Sequence, residues 1–256
     1  YHTGYMFVEK KYEVEAALQK AWQQAIAMAE KRVTSEYNEM LVDMNRVIEE
    51  KGLSLLAQPI IDVSTNEIQA WEMLARGPKG TSLENPLSLF SVARQTGKLF
   101  DLEMIVLEKA FKQVVDTGCR QNIFINFTPV TLGNPRLIRE VNKFLLQYNE
   151  INPKRIIFEI TERDPIEGET FFTGNIKKLR SLGFRLAIDD TGAGYASLHT
   201  ISEIMPEIIK IDRSVIQNID TNRVKESMLK GLLLIAKETG ALVVAEGIEN
   251  ESEAAV

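Results

Sequence analysis

The stretch FRLAIDDTGAGYASL, residues 184–198, sets the problem. An apolar run stops at two adjacent acids, Asp189 and Asp190, and a loop punctuated by Gly192 and Gly194 follows. Asp and Gly are ordinary turn residues, so an isolated pair of this kind reads as the end of a strand and nothing more. What the other strand-like runs carry at the same position decides between that reading and a site.

Working outward, β-rich runs alternate with amphipathic helical segments. The runs are LSLLAQPIID, IQAWEMLARG, NIFINFTP, RIIFEITE, FRLAIDD, EIIKIDRS and ALVVAEGIEN, the later ones beginning near residues 122, 155, 185, 208 and 241. This alternation predicts βα units in a parallel sheet, with strands apolar on both faces because both are covered. A closed (β/α) barrel and an open doubly wound sheet both fit. No GxGxxG or GxxxxGK[ST] loop follows any run, which favours the barrel.

In a parallel barrel, functional side chains gather at the C-terminal ends of the strands. There the runs deliver Glu72, Asn126, Glu159 with Glu162, Asp189 with Asp190, Lys210 with Asp212, and Glu246. Two like charges about 4 Å apart repel by roughly 4 kcal/mol at an effective dielectric of 20. A ring of Glu72, Glu159, Asp189, Asp190 and Glu246 therefore needs protons or cations. Oxygen ligands without sulfur or imidazole suit Mg2+ or Mn2+ and argue against zinc or copper. In a two-metal arrangement Asp189 would bridge both ions and Asp190 would bind the second alone.

Composition narrows the rest. The 256 residues carry a net charge of −6, from 30 basic and 36 acidic residues, which disfavours a nucleic acid polymer or an anionic membrane as partner. Cys119 is alone, excluding an intrachain disulfide, and His2 and His199 are too few for a multi-histidine metal site. No apolar run reaches the ~20 residues of a membrane segment, and the expected compartment is the cytoplasm. Residues 12–50 read as helix, with an apolar stripe through Tyr37, Met40, Leu41, Met44, Val47 and Ile48 and a stop at Gly52. The expected organisation is an appendage over residues 1–50 and one α/β domain over 51–256. The chain opens at Tyr1 rather than at a methionine and reads as a fragment.

The motifs WEMLARG, QPIID, NFTP, FEITE, IDDTGAGYASL, IKIDRS and VAEGIEN, in that order, resemble EAL domains, bacterial phosphodiesterases that open cyclic di-GMP. The resemblance spans about residues 53–256. It implies a TIM-like (β/α) barrel of the EAL type, here lacking its last βα unit after Val256. It implies hydrolysis of cyclic di-GMP to linear pGpG by two-metal activation of water in second-messenger signalling, with Mg2+ or Mn2+ as cofactor. Glu72, Asn126, Glu159 and Asp189 would hold one metal, and Asp189, Asp190 and Glu246 the second. Glu246, Lys210 and Asp190 would act in catalysis, Gln58, Arg76 and Asp212 would serve the substrate side, and Glu162 would anchor the loop after Asp190. The sequence departs from the family pattern at Met73 in the EAL tripeptide, and at Thr191 and Ala193, where the family has Phe and Thr. A homodimer and an upstream sensor or GGDEF domain are the implied partners. The first ~35 residues weakly resemble the end of a GGDEF-type domain. The alternative is a catalytically weak or inactive EAL receptor that binds cyclic di-GMP or a partner protein, and a third is another metal-dependent barrel enzyme.

Overall fold

Runs such as NIFINF and RIIFEI combine β-branched and aromatic residues with no interior Gly or Pro, and each becomes a strand. The computed structural model describes residues 14–29, 36–161, 169–193 and 197–256. Glu162 and residues 1–13 lie outside them. The chain divides into two compact units, one of residues 1–54 and 75–106, the other of residues 55–74 and 107–256.

The first unit contains α1 (Val14–Ala29), α2 (Glu36–Glu49), α3 (Pro86–Gln95) and the start of α4 (Leu99–Thr117). Two helical segments thus occupy the span read as one helix, and residues 30–35 between them are not described. The apolar stripe of α2 is real: Met44 and Val47 are buried where α2 packs on α3. The helix stop differs from expectation. Lys51, not Gly52, takes the left-handed conformation (φ 48°), and the Gly52 N–H closes onto the Val47 carbonyl at 2.8 Å. The helix start at α3 follows from chemistry, with Asn85 accepting from the Leu87 N–H and Pro86 in the first turn.

The second unit is built on a seven-stranded sheet whose spatial order follows the sequence: β1 (Ser54–Ile61), β2 (Ile68–Arg76), β3 (Asn122–Phe127), β4 (Ile156–Thr161), β5 (Arg185–Thr191), β6 (Ile208–Ile211) and β7 (Leu242–Ala245). The five later strands begin within one residue of the positions expected. From β2 to β7 every neighbouring pair is parallel. Helices fill the crossovers: α4, then α5 (Pro129–Leu132) and α6 (Leu137–Gln147), α7 (Glu169–Leu182), α8 (Ser197–Ile204), and α9 (Arg213–Ile216) with α10 (Arg223–Thr239). α11 (Glu251–Ala254) follows β7. β1 departs from the all-parallel expectation. Only a tight turn joins it to β2, closed by Asp62 N–H to the Glu67 carbonyl at 2.9 Å and by the Asp62 carboxylate capping Ser64 and Thr65. A connection that short makes the pair antiparallel, and β1 is largely exposed.

Residues of β1 and β7 line one cavity, so the sheet curls as a partial barrel, with no pairing between β1 and β7 among the described residues. Its outer face is sealed by aromatic packing, Phe158 lying 4.6 Å from Phe127 and 5.0 Å from Phe184 between ring centroids. On the inner face Ala70, Phe124, Ile157, Ala187 and Ile208 form one packed layer, with Ile60 and Val244 against it. This layer is the floor of the site.

Candidate active site

Side chains alternate along a strand, so residues two apart share a face. Two residues beyond the floor, β2 carries Glu72, β3 Asn126, β4 Glu159, β5 Asp189 and β6 Lys210, and Glu246 follows β7 two residues beyond Val244. The register agrees. Glu72 is level with Phe124, Asn126 with Glu159, Thr161 with Asp189, and Lys210 with Val244. Each offset between successive site residues is zero or two, so all of these side chains project from the inner face. The strand-end convergence expected from sequence is present.

Asp190 breaks the alternation and should point away. Instead β5 spends three steps from Ile188 to Thr191 while β6 spends two from Ile209 to Ile211, a β-bulge with one extra residue on β5. Asp190 takes φ 56°, a left-handed conformation that Asp tolerates better than most residues. The bulge lets one carboxylate oxygen each of Asp189, Asp190 and Glu246 lie within 4.8 Å of one another. Two acids stand side by side because the strand is kinked to use both.

Lys210 is at the centre. Its Nζ lies 2.6 Å from Glu159 Oε1, 2.7 Å from Glu246 Oε1, 3.1 Å from Asp189 Oδ1 and 3.2 Å from Glu72 Oε2. Lys210 is 1% and Glu159 0% exposed, so both charges are removed from water. Burial alone would lower the Lys210 ammonium, but the surrounding carboxylates, Glu159 foremost, hold it above its ordinary range. Burial raises Glu159 well above the usual carboxylate range despite the opposing pull of Lys210, and raises Glu246 in the same way. Asn126 Nδ2 donates to Glu72 Oε1 at 3.3 Å, fixing the near side of the ring.

A cation fits this donor set. Glu159 Oε2 is buried without a hydrogen-bond donor among the described residues, a costly state for a carboxylate oxygen unless it binds an ion. The group is all-oxygen apart from Lys210, as Mg2+ or Mn2+ require. Glu72, Asn126, Glu159 and Asp189 could hold one such ion, and Asp189, Asp190 and Glu246 another. Above them opens a cavity of about 570 Å3 lined by Gln58, Glu72, Asp189, Lys210, Arg213 and Glu246 among others. Gln58 of β1 is thus one wall of this cavity. Arg76 ends β2 in the other unit, where its Nη1 donates to the Ala75 carbonyl at 2.8 Å, and it is not among the residues lining this cavity. Asp212 follows β6 and caps α9 by accepting from the Ser214 N–H at 2.8 Å.

Sequence reasoning passed over the residues that hold Glu246 in place. Glu253 is buried, accepts from the Asn218 N–H at 2.7 Å and from the Glu249 N–H at 2.8 Å, and so ties the turn after β7 to the turn after α9. Arg213 pairs with Glu249, and its stem lies where a Cβ on Gly247 (φ 70°) would fall. The signal was legible: Asn250 and Glu253 have capping-box spacing, and Asn250 does accept from the Glu253 N–H at 2.9 Å.

The model of the EAL domain family matches residues 41–256. The chain belongs to the EAL domain family. PdeF of Escherichia coli (strain K12), named a cyclic di-GMP phosphodiesterase, is 28% identical over 222 residues, covering 84% of this chain and 30% of PdeF. The EAL domain of Xanthomonas citri FimX, solved in complex with c-diGMP, is similar with a TM-score of 0.76 at 15% identity, covering 89% of both chains. A standalone EAL protein of Vibrio cholerae O395, solved bound to c-di-GMP, gives 0.69 at 28% identity, covering 79% of this chain and 84% of that one. The chain spans only 26% to 30% of the length of the first curated relatives it matches. Among the described residues of this EAL domain no helix is long and apolar enough to cross a membrane.

Proposed function

We propose that this EAL domain hydrolyses cyclic di-GMP to linear pGpG with Mg2+ or Mn2+ as cofactor. The observation that carries the reading is the inward ring itself: five carboxylates, Glu72, Glu159, Asp189, Asp190 and Glu246, face the single ammonium of Lys210. With all groups ionised, two divalent ions would balance that excess. When bound, such ions neutralise the ring, polarise a phosphodiester and acidify a water molecule.

The chain's own groups do the rest. Lys210, fixed among four carboxylates, orients the attacking water and offsets charge developing on the phosphate. Glu246 faces the cavity with its carboxyl raised by burial, which suits it to receive the water's proton. Attack forms one P–O bond and breaks the bond to the ribose oxygen opposite, which leaves with a proton. Gln58 contributes to ligand binding from β1, with Arg76 and Asp212 as further substrate-side groups and Glu162 as anchor of the loop after Asp190. A homodimer, an upstream sensor or GGDEF domain and a cytoplasmic setting belong to the same proposal, as does a domain boundary near residue 50.

A second reading, a receptor that binds cyclic di-GMP without cleaving it, is favoured by Thr191 and Ala193, which depart from the family's loop. The deciding experiment incubates radiolabelled cyclic di-GMP with and without Mn2+ for the wild type and Glu246→Gln. The enzyme reading expects Mn2+-dependent pGpG and a loss of at least about a hundredfold in turnover for the variant, with binding retained. Binding without product in the wild type establishes the receptor instead.

A further inference from the structure

A cyclic dinucleotide brings two phosphates to this cavity, and the acidic ring receives the one to be cleaved. We propose that Arg213 binds the other, parting from Glu249 to do so, and that Glu249 holds the guanidinium in place until the ligand arrives. The inference rests on the cyclic di-GMP reading above and deepens it by naming the group that meets the second phosphate.

Backbone bonds set Arg213 beside the acids. The residue before it, Asp212, donates its N–H to the Thr191 carbonyl at 3.0 Å, just past Asp189 and Asp190. On the other side the Glu246 N–H donates to the Ile211 carbonyl at 3.0 Å. From this frame the Arg213 side chain runs over the turn that follows Glu246. Gly247 takes φ 70°, and a Cβ there would fall within 3.0 Å of Cβ, Cγ and Cδ of Arg213. The glycine thus leaves room for the stem to lie against the residue next to Glu246. Arg213 lines the same cavity as Glu72, Asp189 and Glu246.

Charge decides which group can serve an anion there. Among the described residues lining the cavity, the basic ones are Lys210 and Arg213. Lys210 is buried, and its three N–H donors already face oxygens of four carboxylates, so it is committed to the ring. Arg213 pairs instead with Glu249, and the two side chains are 56% and 52% exposed. An ion pair so open to water holds weakly. A phosphate, by contrast, meets the guanidinium fork with two parallel charge-assisted bonds. The exchange leaves the turn standing, because Glu253 anchors it through the Asn218 and Glu249 N–H groups without help from Arg213.

The experiment measures the dissociation constant of radiolabelled cyclic di-GMP by filter capture on ice, seconds after mixing with Mn2+ present. The chains compared are the wild type, Arg213→Met, Glu249→Gln and the double variant. Methionine keeps a stem over Gly247 and removes the charge. Arg213→Met should weaken binding about tenfold. Glu249→Gln should tighten it about twofold to fivefold, with the double variant matching Arg213→Met. The opposite signs are the signature, since a purely structural latch loses the same pair in either variant and would weaken binding in both. An unchanged or weaker affinity in Glu249→Gln, or indifference to Arg213→Met, overturns the inference and leaves the cyclic di-GMP reading standing. Circular dichroism checks that each chain is folded, and should Arg213→Met not fold, Glu249→Gln decides alone by the same criterion. A wild type that captures no cyclic di-GMP overturns the cyclic di-GMP reading as well.

Discussion

Asp190 keeps its backbone at φ 56° in order to bring a second carboxylate beside Asp189. Asp and Asn accept that conformation, whereas Ala meets the full clash between Cβ and the carbonyl. Conformation and charge are therefore separable at this position. Asp190→Asn should leave the urea midpoint nearly unchanged while Mn2+ affinity falls. Asp190→Ala should lose the same affinity and also about 1–2 kcal/mol of stability. Equal stability in the two variants would mean that the bulge relaxes without the aspartate. The sequence displayed both acids but not the bulge. Alternation along β5 puts neighbours on opposite faces, and no residue type in IDDT marks where an extra residue is inserted.

The element that matters most for Glu246 is the short turn and helix after β7. Glu253 there is held below the usual carboxylate range, first by the Asn218 N–H and then by the Glu249 N–H. A depressed acid contributes stability above its unfolded value of 4.5 and loses it as pH falls through the lower folded value. The loss belongs to the acid side alone. Replacing Glu253 by Gln should flatten the fall in thermal midpoint below about pH 4.5 and lower stability at neutral pH. Replacing it by Ala should also weaken Mn2+ binding several-fold, since the turn carrying Glu246 loses two backbone anchors. A Gln variant with an unaltered acid limb would show that Glu253 is not the titrating clamp.

For the molecule as a whole, strand order and the inner ring were readable because parallel strands enforce both: apolar runs of fixed spacing can only be crossovers, and period-two alternation fixes which residues face in. What escaped reading lay where local geometry overrides pattern. β1 looked like one more buried strand, yet the six residues 62–67 allow only a hairpin. The α2 stop fell on Lys51 because the chain turns before reaching Gly52.

The extra residue in β5 also reaches beyond the acids. Past it Thr191 lies level with Ile211, whose side chain belongs to the apolar cluster with Val215, Ile216 and Leu232. Thr191 is fully buried on that side, and its Oγ1 has no hydrogen-bond partner among the described residues. A dry, idle hydroxyl is a removable burden, worth about 1–3 kcal/mol in desolvation. Thr191→Val keeps the shape and discards the oxygen, so its urea midpoint should rise, while a fall would mean the hydroxyl has a partner after all. Against a total stability of about 5–15 kcal/mol, that one position is a place to toughen the scaffold without touching its chemistry.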